Sequence, residues 1–294
     1  MRVGAHLRSG LRTVIPLARE TGAEVVQVFI SNPRAWSGPR LETAQAFGAE
    51  WREAAIGPLF VHAPYLVNIA SPNPEFLSKS IELCRRSVAA CGVLEAGGFV
   101  VHSGSGGEAE VADALDRSAT VLQATLAETP DETHLLVELM AGTSGAVAST
   151  LGEARALFDA VDDERLGLVL DTCHLFATGY ALDEPKGVEA MFEELRQLDI
   201  ADRLRLIHMN DAKFERGSKR DRHEIVGEGG IGLEGFGAIV RQPEVRDLSV
   251  VVETPSSGER SSTRATPPSR SRSVKQLSSR VVPIAFGRVK SNSV

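Results

Sequence analysis

Eight short apolar runs, each separated from the next by a longer stretch, constrain this chain more than any other feature. The runs are 2–7, 25–31, 58–64, 98–103, 134–139, 166–172, 204–210 and 248–253. Between them lie helix-like segments near 10–22, 41–55, 74–95, 108–128, 150–162, 187–199 and 232–242. The runs are continuously apolar rather than alternating, as parallel strands covered on the outside by helices are. Parallel neighbours need long crossovers, so eight strands with helices between them predict an α/β fold, the closed (β/α)8 TIM barrel. An open doubly wound sheet competes, but it usually has fewer strands, and no Gly-x-Gly-x-x-Gly follows the first run. The chain's 294 residues suit one such barrel, which typically takes about 250.

The barrel is expected to occupy residues 1–255. Beyond Pro255 the composition changes: eleven of the residues from 256 to 294 are serine, with eight Lys/Arg against a single acid, Glu259. Apart from a short apolar patch at 281–286, this segment has no stripe of helical period. It reads as a disordered basic Ser/Arg-rich tail. The eighth helix of the barrel is therefore expected to be missing or replaced by an irregular tail. A natural basic tail and a shifted reading frame both fit that composition. The tail carries +7 of a whole-chain charge of −7, leaving −14 on 1–255. So acidic a body is not the footprint of a general nucleic-acid binder. If it holds DNA, positive charge must come from bound metal or from local basic loops. No apolar run reaches the roughly 18 residues of a membrane span. The start of the chain lacks a signal-peptide core. Three cysteines with no Cys-x-x-Cys point to a reducing, cytoplasmic compartment.

Six of the seven histidines sit at or just beyond the end of a strand run: His6, His62, His102, His174, His208 and His223. Strand C-termini of a parallel barrel open onto one face, where active sites are built. His134 opens its run, at the end away from the strand C-termini, and belongs on the opposite face. Acids occupy matching places: Glu138, Asp171 and Glu253 end runs, and Asp221 lies beside His223. Each could singly be a helix cap or a solvated loop residue. Together, on one rim, the carboxylates would repel one another unless cations were shared among them, and imidazole with carboxylate suits Zn2+ or Mn2+.

On the residues GAHL at 4–7, HAPYLVNIA at 62–70, VHSGS at 101–105, LDTCHLFATGY at 170–180, IHMNDAK at 207–213 and DRHEIVGEGGIG at 221–232, the chain resembles the endonuclease IV family. These are apurinic/apyrimidinic endonucleases on a xylose isomerase-like barrel. The resemblance implies three Zn2+ per chain. His62, His102 and Glu138 match the ligands of the first. Glu138 bridges to the second, with Asp171, His208 and Glu253. His174, Asp221 and His223 match those of the third. Glu138 and Glu253 would serve catalysis, Glu253 by orienting the nucleophile. The implied reaction is hydrolysis 5′ to an abasic site in duplex DNA, leaving a 3′-hydroxyl and a 5′-deoxyribose phosphate, with 3′-end cleaning as a further activity. It implies no nucleotide cofactor, a monomer, and a cytoplasmic, nucleoid-associated enzyme of base excision repair. One position departs: the family usually has Asn after the bridging glutamate, where this chain has Leu139. By the same resemblance, Arg34, Trp36, Tyr65 and Leu66 match loops that enter the minor groove, although Trp36 could equally pack. The run 213–223 adds Lys213, Arg216, Lys219, Arg220 and Arg222 as expected phosphate contacts. Two other readings stay open. A sugar isomerase or epimerase would use Glu138, Asp171, His208 and Glu253 and leave His174, Asp221 and His223 idle. A DNA-binding protein inactivated by its altered C-terminus would hold Glu253 poorly.

Overall fold

The computed structural model describes residues 1–253; the tail, and with it the expectation that the eighth helix is missing or replaced, lies outside the described residues. Eight parallel strands close into a barrel: β1 (Arg2–Leu7), β2 (Val26–Val28), β3 (Leu59–His62), β4 (Gly98–His102), β5 (His134–Glu138), β6 (Leu166–Asp171), β7 (Leu204–His208) and β8 (Ser249–Val252). The second and third strands are shorter than the apolar runs suggest. Past Val28 and His62 the chain turns into the loops of the upper face, where Phe29 and Ala63 are buried without strand pairing.

Helices α1 (Val14–Thr21), α2 (Leu41–Ala54), α3 (Pro74–Leu94), α4 (Val111–Leu126), α5 (Leu151–Val161), α6 (Thr172–Thr178), α7 (Pro185–Gln197) and α8 (Gly232–Val240) make the crossovers. Local chemistry sets their starts. Asn73 caps α3 by accepting from the Glu75 and Phe76 N–H groups, with Pro74 in the first turn. Thr150 and Glu153 form a reciprocal capping box at α5, a device worth about 1 kcal/mol. The short α6 is the element that the apolar pattern hides, because LVLDTCHLFA passes from strand into helix with no Gly, Pro or loop between them.

Strand residues facing outward, such as Val61, Val101, Val137 and Leu168, join the helices in one large core. The inward faces form a second, separate cluster of Val25, Phe60, Val100, Leu136, Val169, Leu206 and Val251. Side chains alternate along a strand, so the residue two positions on shares the same face. Two positions on from these are Gln27, His62, His102, Glu138, Asp171, His208 and Glu253. On β1 the equivalent pair is Gly4 and His6. A side chain at Gly4 would drive its Cβ to 1.6 Å from the Val25 carbonyl oxygen. Each strand thus contributes one polar residue to a single layer capping the barrel interior. A register shift between Leu168 and Val169 sets Asp171 level with His208 in that layer.

Candidate metal centre

The strand-end layer is almost entirely out of solvent. Glu138, Asp171, His208, His62 and Glu253 are buried, and His102 is half-buried. His174 joins from the first turn of α6, and Asp221 and His223 from the β7–β8 loop. A two-residue antiparallel ribbon, Asp211–Ala212 against His223–Glu224, holds that loop over the barrel mouth. His134 starts β5 at the far end, as its position at the start of the run implies.

The contacts sort into three groups. Glu138 Oε2 lies 3.1 Å from His62 Nε2 and 3.4 Å from His102 Nε2. Its other oxygen, Oε1, lies 3.1 Å from His208 Nδ1. His208 Nδ1 is also 3.5 Å from Glu253 Oε2 and 4.0 Å from Asp171 Oδ2. Asp221 stands between two imidazoles, 3.4 Å from His174 Nε2 and 3.1 Å from His223 Nε2. Asp171 Oδ2 reaches His223 Nε2 at 3.6 Å. Two ligands about 2.1 Å from one tetrahedral zinc would stand roughly 3.4 Å apart, and these separations bracket that value.

The imidazoles are held by their remote nitrogens, as metal ligands are. His62 Nδ1 bonds Ala63 O at 2.7 Å, His174 Nδ1 bonds Leu139 O at 2.7 Å, and His208 Nε2 bonds Gln27 Oε1 at 2.9 Å. His223 Nδ1 bonds Glu253 O at 3.3 Å. In each, the other nitrogen points into the cluster. Two of those inward atoms, His208 Nδ1 and His223 Nε2, are buried and make no hydrogen bond of good geometry among the described residues. An orphaned buried nitrogen is costly, and a cation in each of their two groups would satisfy them. The residues present therefore fit divalent metal. At the Leu139 departure, His174 is held by the backbone carbonyl of residue 139, a group present whatever the side chain there.

The electrostatics agree. Burial alone would suppress the charge on His208 and His223, but Glu253 and Glu138 around the first, and Asp171 and Asp221 around the second, raise both to about 9. Burial opposes ionisation of Glu138 and Glu253 too, yet His208 with neighbouring imidazoles holds both well below the usual carboxylate range. Negative charge fixed in a dry site is what a cation would balance. Cys173 Sγ also comes near Asp221 and His223, but burial pushes its thiol strongly up, which disfavours the thiolate that would bind metal.

Several side chains that position the cluster lie outside the expected ligand set, although His6 is already among the strand-end histidines. Gln27 donates from Nε2 to Glu253 Oε1 at 2.9 Å while accepting from His208, so one amide ties two strand-end ligands. His6 Nδ1 lies 2.5 Å from the same Glu253 oxygen. Asn210 donates to Asp171 Oδ2 at 2.5 Å and accepts from the Glu253 N–H at 2.7 Å. Asp171 does two jobs, since its Oδ1 also caps α6 through the His174 N–H at 3.0 Å. Gln27 was findable: it follows Val25 by the spacing that marks every ligand strand.

Asp211 is the clasp of the third group. Its buried carboxylate accepts from the N–H groups of Ala212, Gly227, Gly229, Ile231 and Gly232. A Cβ on Gly229 would lie 2.4 Å from Ala212 O, so the glycines of GEGGIG let the loop wrap the carboxylate. Asp211→Ala strands several buried N–H groups, each costing about 1–3 kcal/mol. It should destabilise the fold by about 3 kcal/mol, read by denaturant titration, and loosen the loop that carries Asp221 and His223. A change under about 0.5 kcal/mol would contradict the clasp.

Of the expected DNA contacts, Tyr65 is exposed at the mouth beside the ligands and Leu66 is half-buried next to it. Arg34 is exposed. Trp36 is half-buried, stacked on Phe76 at 6.4 Å with Lys79 over the ring, so α3 fixes its position. Lys213 and Lys219 are exposed. Arg220 lies over the Phe214 ring at 3.5 Å, and Arg222 bonds the Asp221 carbonyl. Arg216 is paired with Asp183 and Glu184, so its charge is already balanced.

A family model described as a xylose isomerase-like TIM barrel matches residues 15–276. A probable endonuclease 4 from a Sulfurihydrogenibium species is 34% identical over 264 residues, 88% of this chain and 95% of that protein. The chain belongs to the endonuclease IV family. The crystal structure of endonuclease IV from Thermus thermophilus superposes with a TM-score of 0.74 at 28% identity, covering 88% of this chain and 94% of that one. A D-tagatose 3-epimerase-like protein shares the fold with the same TM-score at 19% identity, over 97% and 98% of the two chains. Membership of the endonuclease IV family carries metal dependence with it, in keeping with the His/Asp/Glu groups described above. Among the described residues, no helix is long and apolar enough to cross a membrane.

Proposed function

We infer that this protein is a zinc-dependent endodeoxyribonuclease that hydrolyses the phosphodiester 5′ to abasic sites in duplex DNA, leaving a 3′-hydroxyl and a 5′-deoxyribose phosphate. The observation that carries the reading is the third group: His174, Asp221 and His223 converge at the barrel mouth, where a sugar isomerase or epimerase would leave them idle. His62, His102 and Glu138 would hold one zinc. Glu138, Asp171, His208 and Glu253 would hold a second, and His174, Asp221 and His223 a third. Bound there, the cations would supply Lewis acidity, stabilising charge on the phosphoryl group and acidifying the attacking water.

The chain's own residues do the positioning. Gln27 and His6 fix the Glu253 carboxylate, and Asn210 accepts from the Glu253 N–H while its amide lies 3.4 Å from Glu253 Oε2; the part of that carboxylate is to orient the attacking water. Phe29 packs against His6, His62 and Tyr65 and keeps that side of the site dry, which strengthens every charge interaction inside it. Tyr65 and Leu66 stand where a duplex would be opened. An abasic nucleotide has no base to unstack, so displacing it is cheap and selects damage over sequence.

Incision of a duplex with one abasic site, with and without chelator, tests the reading. Cleavage 5′ to the lesion that chelation abolishes is expected, and a zinc-replete protein that leaves the duplex intact would overturn it. Lys219→Glu should also lower the salt slope of DNA binding, by about 0.9 for each phosphate that the side chain neutralises in the wild type. Arg216→Glu should change it less, because Asp183 and Glu184 already neutralise that side chain. Equal slopes for Lys219→Glu and wild type would show that Lys219 touches no phosphate.

A further inference from the structure

The group of His174, Asp221 and His223 differs from the other two, because no barrel strand carries any of its members. His174 lies on α6, and Asp221 and His223 lie on one hairpin. The legs of that hairpin are the ribbon of Asp211–Ala212 and His223–Glu224, lengthened by one bond from the Lys213 N–H to the Arg222 carbonyl at 2.9 Å. So short a ribbon has little stability of its own. Asp221 falls beyond the paired legs and is exposed, so the ribbon does not fix it. Its place depends on what the hairpin tip rests against.

The tip has two supports. The N–H groups of Gly217 and Lys219 donate to the Phe176 and Ala177 carbonyls at 3.0 and 2.9 Å, in the last turn of α6, where helix carbonyls otherwise go unserved. The same helix carries His174, so this docking places the hairpin against its partner ligand. The second support is Arg216. Its Nη2 donates to Glu184 Oε1 at 2.8 Å and lies 3.3 Å from Asp183 Oδ2, just ahead of α7. Among the described residues, it is the only side chain of 213–220 with a hydrogen bond or ion pair outside the hairpin; Arg220 turns back onto Phe214. Asp183 depends on it in turn. The Asp183 Oδ1 atom is buried without a hydrogen-bond partner among those residues, which makes Arg216 the group that balances this half-buried carboxylate.

We propose that Arg216 is a positioning residue for the third group: through Asp183 and Glu184 it latches the hairpin tip to the start of α7, and so holds Asp221 and His223 opposite His174. The proposal rests on the reading of that group as a zinc site and adds to it a residue that sets the site's affinity without touching the metal. Two consequences follow from the geometry. The dependence is confined to the third zinc, because the other two groups draw no ligand from the hairpin. And because the latch is partly exposed, salt screens it, so its contribution fades as the ionic strength rises.

The test titrates metal-stripped protein with zinc against a competing chromophoric chelator, for wild type, Arg216→Ala, Arg216→Lys, Arg216→Glu and the exchanged pair of Arg216→Glu with Glu184→Arg. The third equivalent should bind Arg216→Ala about five-fold more weakly than wild type, with the first two unchanged. Arg216→Lys should recover part of that loss. Arg216→Glu should lose more than Arg216→Ala, and adding Glu184→Arg should restore part of it, a recovery that general loosening of the fold would not give. The gap between wild type and Arg216→Ala should close in concentrated salt. Equal third-site affinity for those two proteins at low salt, or a loss spread evenly over all three equivalents, would overturn the latch. Incision of an abasic duplex by wild type is read in parallel. A third equivalent weakened in Arg216→Ala, with no incision by the fully loaded wild type, would sink the nuclease reading and leave the latch standing. Wild type that binds no third equivalent would overturn the third site and the latch with it.

Discussion

Glu138→Gln should lower the rate of abasic-site incision by at least about a thousand-fold, the largest loss expected from any single atom change in this protein. The carboxylate divides its work: one oxygen faces His62 and His102, the other His208. An amide presents one oxygen and one NH2 group, so only one side can still be served. It also removes the negative charge around which buried imidazoles gather. The metal content should fall with the activity, because two of the three groups share this residue, while the group of His174, Asp221 and His223 retains its ligands. The far-ultraviolet spectrum should be preserved, since Gln has nearly the same volume. A variant retaining more than a tenth of wild-type incision with its full metal content would contradict the bridging role.

Removal of metal should invert the pH dependence of stability. In the metal-free protein His208 and His223 titrate at about 9 against an ordinary value of 6.5. A pKa raised on folding contributes stability that is fully present below about pH 6.5 and lost as the pH rises through about 9. Glu138 and Glu253, held low, stay ionised across that window. Raising the pH therefore strips protons from the imidazoles and leaves the carboxylates of the cluster facing one another unscreened. The chelated protein should lose about 10 °C in Tm between pH 6.5 and 9. The loaded protein should not, because cations replace the protons and compete better as the imidazoles deprotonate. Calorimetry of both forms across this range checks the sign. A metal-free protein that becomes more stable towards pH 9 would show that the cluster is not held together by shared protons.

Most of the fold, and the gathering of the strand-end His, Asp and Glu side chains on one face, was legible in the sequence for one physical reason. A closed barrel puts alternate residues inside, so a polar residue two places after an interior apolar one must cap the barrel. Phe60 and His62, Leu136 and Glu138, and Val251 and Glu253 all show that step. The same step marks Val25 and Gln27, but Gln27 does not titrate, and a search for charged ligands passes over it. Helix α6 was hidden because Asp171 ends a strand and caps a helix in one residue. Asp211 was hidden because its partners are backbone N–H groups, which leave no trace in side-chain identity. The basic loop misleads for a different reason. Whether Arg216 is free depends on Asp183 and Glu184, some thirty residues away, and only the fold brings them together.

On the reading proposed above, nine residues, His62, His102, Glu138, Asp171, His174, His208, Asp221, His223 and Glu253, hold three metals that make the chain a nuclease. The decisive measurement is native mass spectrometry of the metal-stripped protein titrated with zinc, with abasic-duplex incision assayed at each step. Binding should stop at three equivalents per chain, with incision rising to its maximum as the third is filled. Saturation at one equivalent, or three equivalents on a folded protein that leaves the duplex uncut, would contradict it.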